Sequence, residues 1–121
     1  MKGLTLTGKR KSSIDVLKKV FYNIVDYEPT IILDESNDLN FMCYLYISYK
    51  VEHDLIDIIN ILINHCSTFT IEIDENMYYE DTSTSPYYMV TEYYKWDGKD
   101  LKRCFKDYFG STCENVNYLL K

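Results

Sequence analysis

The sequence predicts an α+β fold, an antiparallel sheet with helices packed on one face. Three observations carry that expectation. Two stretches, 16–25 and 55–63, repeat apolar residues at helical spacing; several others alternate with a period of two; and the two kinds intersperse along the chain. With 121 residues, 46% of them hydrophobic, the chain reads as a single domain over 1–121 that can bury a core without metal or disulfide.

Leu4 and Leu6 on one side of Thr5 and Thr7 predict a short strand at Thr5–Thr7. Gly8–Lys11 reads as a basic turn, with Ser12 capping the helix that follows and Asp15 in its first turn. Val16, Leu17, Val20, Phe21, Ile24 and Val25 make that helix amphipathic through about Asp26. Pro29 stops it, Thr30–Asp34 is a β-branched strand, and Glu35–Asn40 is a polar turn.

Phe41–Lys50 is the clearest strand. Phe41, Cys43, Leu45, Ile47 and Tyr49 fall on one face, Met42, Tyr44, Tyr46 and Ser48 on the other, and two bulky faces place it centrally. Val51–His65 predicts a second helix with Leu55, Ile58, Ile59, Leu62 and Ile63 as its buried stripe. In Ser67–Glu75, Phe69, Ile71 and Ile73 alternate with Thr68, Thr70, Glu72 and Asp74, so one side faces solvent or a partner.

The resulting order over about 3–75, β-α-β-β-α-β, is that of ferredoxin-like domains. Omitting the short first strand gives α-β-β-α-β-β-α instead. Beyond this core, 76–86 reads as an acidic polar loop and 87–121 as a strand-helix extension. In that extension Tyr87–Trp96 is a strand, Asp97-Gly98 a turn and Lys99–Phe109 a basic amphipathic helix stopped by Gly110. Asn115–Leu120 is a last short strand or helical turn.

Several function classes lack support. The longest apolar run, Leu55–Ile63, is broken by Asp57 and Asn60 and is too short to span a membrane. Met1–Lys11 is charged with no apolar segment after it, which predicts a cytoplasmic protein. Cys43, Cys66, Cys104 and Cys113 form no C-x-x-C pair, so free thiols are the default. His53 and His65 sit at opposite ends of the second helix, about 18 Å apart, too far to share a metal. His65 and Cys66, with Cys104 or Cys113, are the candidate Cys/His metal set, but a histidine also sits favourably at a helix C-terminus. Neither Cys43 nor Cys104 has a nucleophile's context. Gly3 and Gly8 form no nucleotide fingerprint, and no EF-hand spacing occurs. The expectation is a non-enzymatic chain without cofactor or metal.

Charge distribution points further. The net charge is −6, and between Val51 and Tyr94 there are nine acids and no Lys or Arg. This predicts an acidic flank that repels phosphate and attracts basic surfaces. The 13 tyrosines, several in pairs, suit an AT-rich genome and also an interface, where a rigid ring carries a polar tip. Tyr44 and Tyr46 are similar to the stacking aromatics of RNA-recognition sheets, but Glu72 and Asp74 on the neighbouring strand oppose phosphate. Lys9-Arg10-Lys11 with Lys18 and Lys19 is a small alternative contact surface.

Glu72 and Asp74, two apart on a strand, project at about 6.7 Å, about twice the axial rise per nucleotide of one DNA strand. Glu75, Glu80 and Asp81 extend the negative surface, and Tyr78, Tyr79, Tyr87 and Tyr88 supply apolar anchors. These nine residues are the predicted partner-binding surface. In composition the chain resembles small acidic inhibitors of nucleic-acid enzymes, such as phage anti-CRISPR proteins and immunity proteins of nuclease toxins. The likeness is one of kind and carries over no residue. It implies a phage- or mobile-element-encoded inhibitor, monomer or homodimer, that binds a protein with a basic surface rather than nucleic acid or membrane. The alternative is a ferredoxin-like module binding a small ligand or nucleotide on its open sheet, with or without hydrolysis, through Tyr44, Tyr46, Thr68, Thr70 and His53.

Overall fold

Residues that alternate in sequence pair side by side in space, and the helices lie across one side of them. The computed structural model describes residues 2–47, 51–80 and 87–121, and the side chains of these except at 2, 51–54, 75–80 and 87–89. The elements are β1 (Lys2–Arg10), α1 (Ile14–Val25), β2 (Ile31–Leu33), β3 (Asn40–Ile47), α2 (Val51–His65), β4 (Cys66–Glu80), β5 (Tyr87–Trp96), β6 (Leu101–Asp107) and β7 (Gly110–Asn115). A 3-10 turn at Asn117–Leu119 follows. Among the described residues, seven strands form one sheet in the order β2-β3-β1-β4-β5-β6-β7, and every neighbouring pair is antiparallel.

Register decides which side chains meet. Leu4 lies between Leu45 and Ile73, and Leu6 between Cys43 and Ile71, so one face of β3-β1-β4 is continuous aliphatic surface. Leu17 and Phe21 of α1 and Leu55, Ile58, Ile59 and Leu62 of α2 close over it in a single cluster. Each fully buried side chain of this kind contributes roughly 1.5–3 kcal/mol. Both helices therefore cover the same face. On β3 the predicted alternation holds over the described residues: Phe41, Cys43, Leu45 and Ile47 are buried, while Met42, Tyr44 and Tyr46 are exposed.

Boundaries differ from the sequence pattern at several points. Ser13, not Ser12, caps α1; its hydroxyl accepts from the Val16 amide at 3.3 Å. β1 continues through Gly8–Arg10 instead of turning, because β3 and β4 both offer ladder partners there: Gly8 opposes Phe41 and Phe69. β3 is an interior strand, paired with β2 on one side and β1 on the other, and β4 is the middle strand of the seven. β4 runs on to Glu80, so 76–80 is strand rather than loop; after a register shift, Met77–Glu80 pair with Val90–Tyr87.

The largest correction is at 99–109, where a strand replaces the predicted helix. Asp97 Oδ1 accepts from the Lys99 and Asp100 amides at 2.9 and 2.8 Å, and Gly98 adopts φ +96°. This tight turn sends the chain back along β5, where Leu101–Lys106 pair with Trp96–Thr91. Gly110, at φ +137°, opens β7 and does not stop a helix. The spacing of Leu101, Cys104 and Phe105 imitates a helix stripe. In the strand, Leu101 and Phe105 share the helix side with Tyr94, and Cys104 is buried on the opposite side. Cys104 is bonded to Cys113, its direct partner across β6 and β7 with 4.1 Å between Cα atoms, so free thiols do not hold for this pair. Cys43 and Cys66 are free and buried.

The chain end returns to the covered side. Val116 is buried in the core, and its amide donates to Leu101 O at 2.9 Å. Asn60 of α2 donates to Leu119 O at 3.2 Å and accepts from the Lys121 amide at 2.8 Å. Among the described residues, no helix is long and apolar enough to cross a membrane.

Candidate functional site

With both helices on one side, the other side of the sheet is open, and its outward residues form ordered rows. One row runs Tyr44, Thr5, Glu72, Tyr93 across β3-β1-β4-β5; the next runs Met42, Thr7, Thr70, Lys95, Lys102 and reaches β6. Residues directly opposed in such rows have Cβ atoms about 4.5–5.5 Å apart, so these side chains share one surface.

The aromatic end is built on β3. The Tyr44 and Tyr46 rings meet edge to face, with centroids 5.0 Å apart and planes at 74°. They are 43% and 48% exposed, and so remain available as contact surface. The Tyr44 ring lies across Gly3: a Cβ at that position would collide with the Tyr44 hydroxyl and come to 3.0 Å from Asp74 Oδ2. The Tyr44 hydroxyl donates to the Asp74 carboxylate, and Thr5 Oγ1 donates to Asp74 Oδ1 at 3.2 Å. The bond to Asp74 first, then that to Tyr46, holds the Tyr44 phenol protonated well above the ordinary tyrosine range. Tyr27 Oη accepts from the Tyr46 amide at 2.9 Å, covering the edge of β3 beyond the short β2. A hollow of about 310 Å³ lies among Tyr27, Ile32, Met42, Tyr44 and Tyr46.

Of the nine residues expected to bind a partner, Glu72 and Asp74 lie on this open face, two apart on β4 as their spacing requires. Glu72 is exposed, and Asp74 is half-buried under the bonds just described. Glu75, Tyr78, Tyr79 and Glu80 continue β4, and Tyr79 and Glu80 pair with Tyr88 and Tyr87 of β5. The side chains of these six residues, and Asp81 altogether, lie outside the described residues. Of the second expected set, Tyr44, Tyr46, Thr68 and Thr70 share the open face; His53 is in α2, and its side chain lies outside the described residues.

The sheet also brings together residues that sequence reasoning kept apart. Lys9 of β1, Lys95 of β5, and Lys102 and Lys106 of β6 all project from the open face, through their register with Thr68, Thr70, Lys95 and Thr91. Assigning Lys102 and Lys106 to a helix hid this. Strand parity from Trp96 onward, read across the Asp97-Gly98 turn, was the signal that would have found it. The acidic stretch of sequence is thus interleaved with lysines in space. An open trough of about 670 Å³ crosses this basic end, over Thr7, Lys9, Thr68, Thr70 and Lys95.

Ser12 Oγ and His65 Nδ1 share a hydrogen bond of 2.8 Å, and His65 O accepts from the Lys11 amide. Burial pushes the Cys43 thiol up to about 11 and the Cys66 thiol up to about 12, so both stay protonated near neutral pH. Among the described residues, no three His, Cys, Asp or Glu side chains are grouped to hold a metal. No protein-family model, curated protein or solved structure matches this chain.

Proposed function

We propose that this chain is a non-enzymatic inhibitor that binds another protein through the open face of its sheet. The observation that carries the reading is that both helices cover the same face, leaving Met42, Tyr44 and Tyr46 exposed on the other. Edge-to-face tyrosines give a rigid apolar anchor, and Glu72 and Asp74 beside them suit a basic partner surface. The partner is a nucleic-acid-handling protein, and the inhibitor is of the kind carried by phages or mobile elements, acting in the host cytoplasm as a monomer or homodimer. The scaffold is read as ferredoxin-like over its first four strands. Their order β2-β3-β1-β4, with a helix in each crossover, supports that, and β5-β6-β7 extend the sheet.

The test is capture from nuclease-treated host lysate, washed at low and high salt, with a Glu72→Lys, Asp74→Lys variant alongside. One basic partner, released by salt and lost in a variant with unchanged circular dichroism, is the expected result. A partner retained by the variant overturns the assignment.

A second reading, a module that takes a small ligand or nucleotide on this face, is favoured by one observation. The trough lies directly over Thr68 and Thr70, two of the residues that reading requires. A ligand seen only by the folded state raises its melting temperature, so a nucleotide panel tests it.

A further inference from the structure

We infer that the basic end of the open face is a binding site for a phosphate monoester carrying a flat apolar group, with Lys9, Lys95 and the hydroxyls of Thr7, Thr68 and Thr70 on the phosphate. The inference rests on the small-ligand reading above and goes beyond it by naming the ligand's chemistry and the groups that hold it.

The register makes the site. Thr7 opposes Thr70, Lys9 opposes Thr68, and Thr70 opposes Lys95, so the five side chains stand on three adjacent strands of one face. Adjacent strands lie about 4.8 Å apart and the two lysines are also one outward position out of step, which puts the Lys9 and Lys95 backbones about 12 Å apart with the threonines between them. Two lysine stems reach across that span to one anion, and three hydroxyls lie beneath it. None of the five side chains makes a hydrogen bond or ion pair with another described residue, so their donors are unspent.

The nearby carboxylates remain ionised but are held by their own turns, and neither forms an ion pair with Lys9 or Lys95 among the described residues. Asp34, at the rim, accepts from the Ser36 hydroxyl and amide at 2.8 and 2.9 Å. Asp97, also at the rim, accepts from the amides of its own turn. These bonds hold both carboxyls below the usual carboxylate range, the Ser36 hydroxyl leading for Asp34 and the Asp100 amide for Asp97. Lys95 also faces Lys102 directly across β5 and β6. Like charges in that position oppose folding, and a bound anion relieves them. With Asp34 and Asp97, Glu72 opposes the anion; it stands one outward position along β4 from Thr70.

An apolar wall adjoins the anion donors. Ile32 and Met42, 54% and 42% exposed, line the same trough on the β2-β3 side. A charged donor cluster beside exposed aliphatic surface fits a ligand with a phosphate at one end and a ring at the other.

The test is calorimetric titration of the full chain with adenosine monophosphate, adenosine and inorganic phosphate. The wild type is compared with Lys9→Ala/Lys95→Ala, Thr70→Val and Glu72→Gln. The monophosphate is expected to bind at least about tenfold more tightly than adenosine, since a hydrogen bond to a charged group contributes about 1.5–3 kcal/mol. The double lysine variant should lose that difference, Thr70→Val should weaken it, and Glu72→Gln should strengthen it, each with an unchanged circular dichroism spectrum in ligand-free buffer. Adenosine binding as tightly as its monophosphate, or a double variant that binds like wild type, overturns the anion site and leaves the small-ligand reading standing. Binding of none of the three compounds overturns both.

Discussion

The two halves of the sheet are held together differently. In β2-β3-β1-β4 the inward face is aliphatic and two helices seal it; every inward residue described from Phe41 to Ile47 is buried. In β5-β6-β7 the seal narrows: Tyr94 and Leu101 are still buried on the helix side, but Glu92, Arg103 and Phe105 beyond them are half-buried, and β7 is exposed along its whole length. Here the ladder is reinforced by a disulfide, an ion pair and the returning chain end. One half is stabilised by area removed from water, the other by a few specific links. Substitutions should therefore act broadly in the first half and locally in the second.

The largest effect is expected in the sealed half. Leu62→Ala or Ile71→Ala removes a fully buried side chain and should cost about 2–5 kcal/mol in denaturant unfolding. Tyr46→Ala, on the open face of the same half, should cost under about 1 kcal/mol. Equal costs would mean that the open face is covered in solution.

The links of the other half come next. Cys104 and Cys113 are nine residues apart, and a loop that short gives a chain-entropy contribution of about 2–3 kcal/mol. Cys113→Ser should lose most of it. Amide exchange should quicken in β6 and β7 well before β1, β3 and β4. Uniform acceleration across all seven strands would show that the two halves unfold as one unit.

The contrast between these halves also explains what could be read in advance. On β3, β4 and the helices, burial on one side imposes a period that the residues display, so α2 was bounded at Val51–His65 and the faces of Phe41–Ile47 were assigned from pattern alone. β7 has no such seal, and on the helix side of β6 it reaches only Leu101. Leu101, Cys104 and Phe105 fit a helix as well as a strand, and turn chemistry decides between them: the Asp97 carboxylate and Gly98 reverse the chain. The same misreading concealed the site. Glu72 and Asp74 were correctly placed on an outward strand face, but Lys102 reaches that face only once β6 pairs with β5. Charge counted along the chain described an acidic flank, whereas the sheet places lysines of three strands beside it.

The four cysteines sharpen the comparison through pH. Cys43 and Cys66 lie in the sealed half, where burial raises their thiols from 9.0 to about 11 and about 12. Their native form is the protonated one. Above pH 9.0 the unfolded chain loses these protons and the folded chain does not, so stability falls as pH rises and levels off only past the folded values. A loss of about 3 kcal/mol by pH 10 is expected, about halved in Cys43→Val. The bonded pair of the other half has no proton to lose and adds nothing to this alkaline loss. An identical alkaline profile for Cys43→Val and wild type would exclude burial of this thiol as a cause.

The smallest effect probes how the second half covers its own helix side. Arg103 Nε donates to Glu92 Oε1 at 2.8 Å, and its guanidinium lies over the Phe105 ring, 4.9 Å from the centroid. The two side chains are 36% and 18% exposed, so solvent screens the pair and discounts its energy. A double-mutant cycle of Arg103→Met and Glu92→Gln should give a coupling of about 0.5–1 kcal/mol, falling with added salt. Arg103→Met alone should cost less than Leu62→Ala, because the methionine stem keeps the contact with Phe105. A coupling above about 2 kcal/mol would require a drier site than this edge of the sheet provides, and the second half would then be sealed like the first.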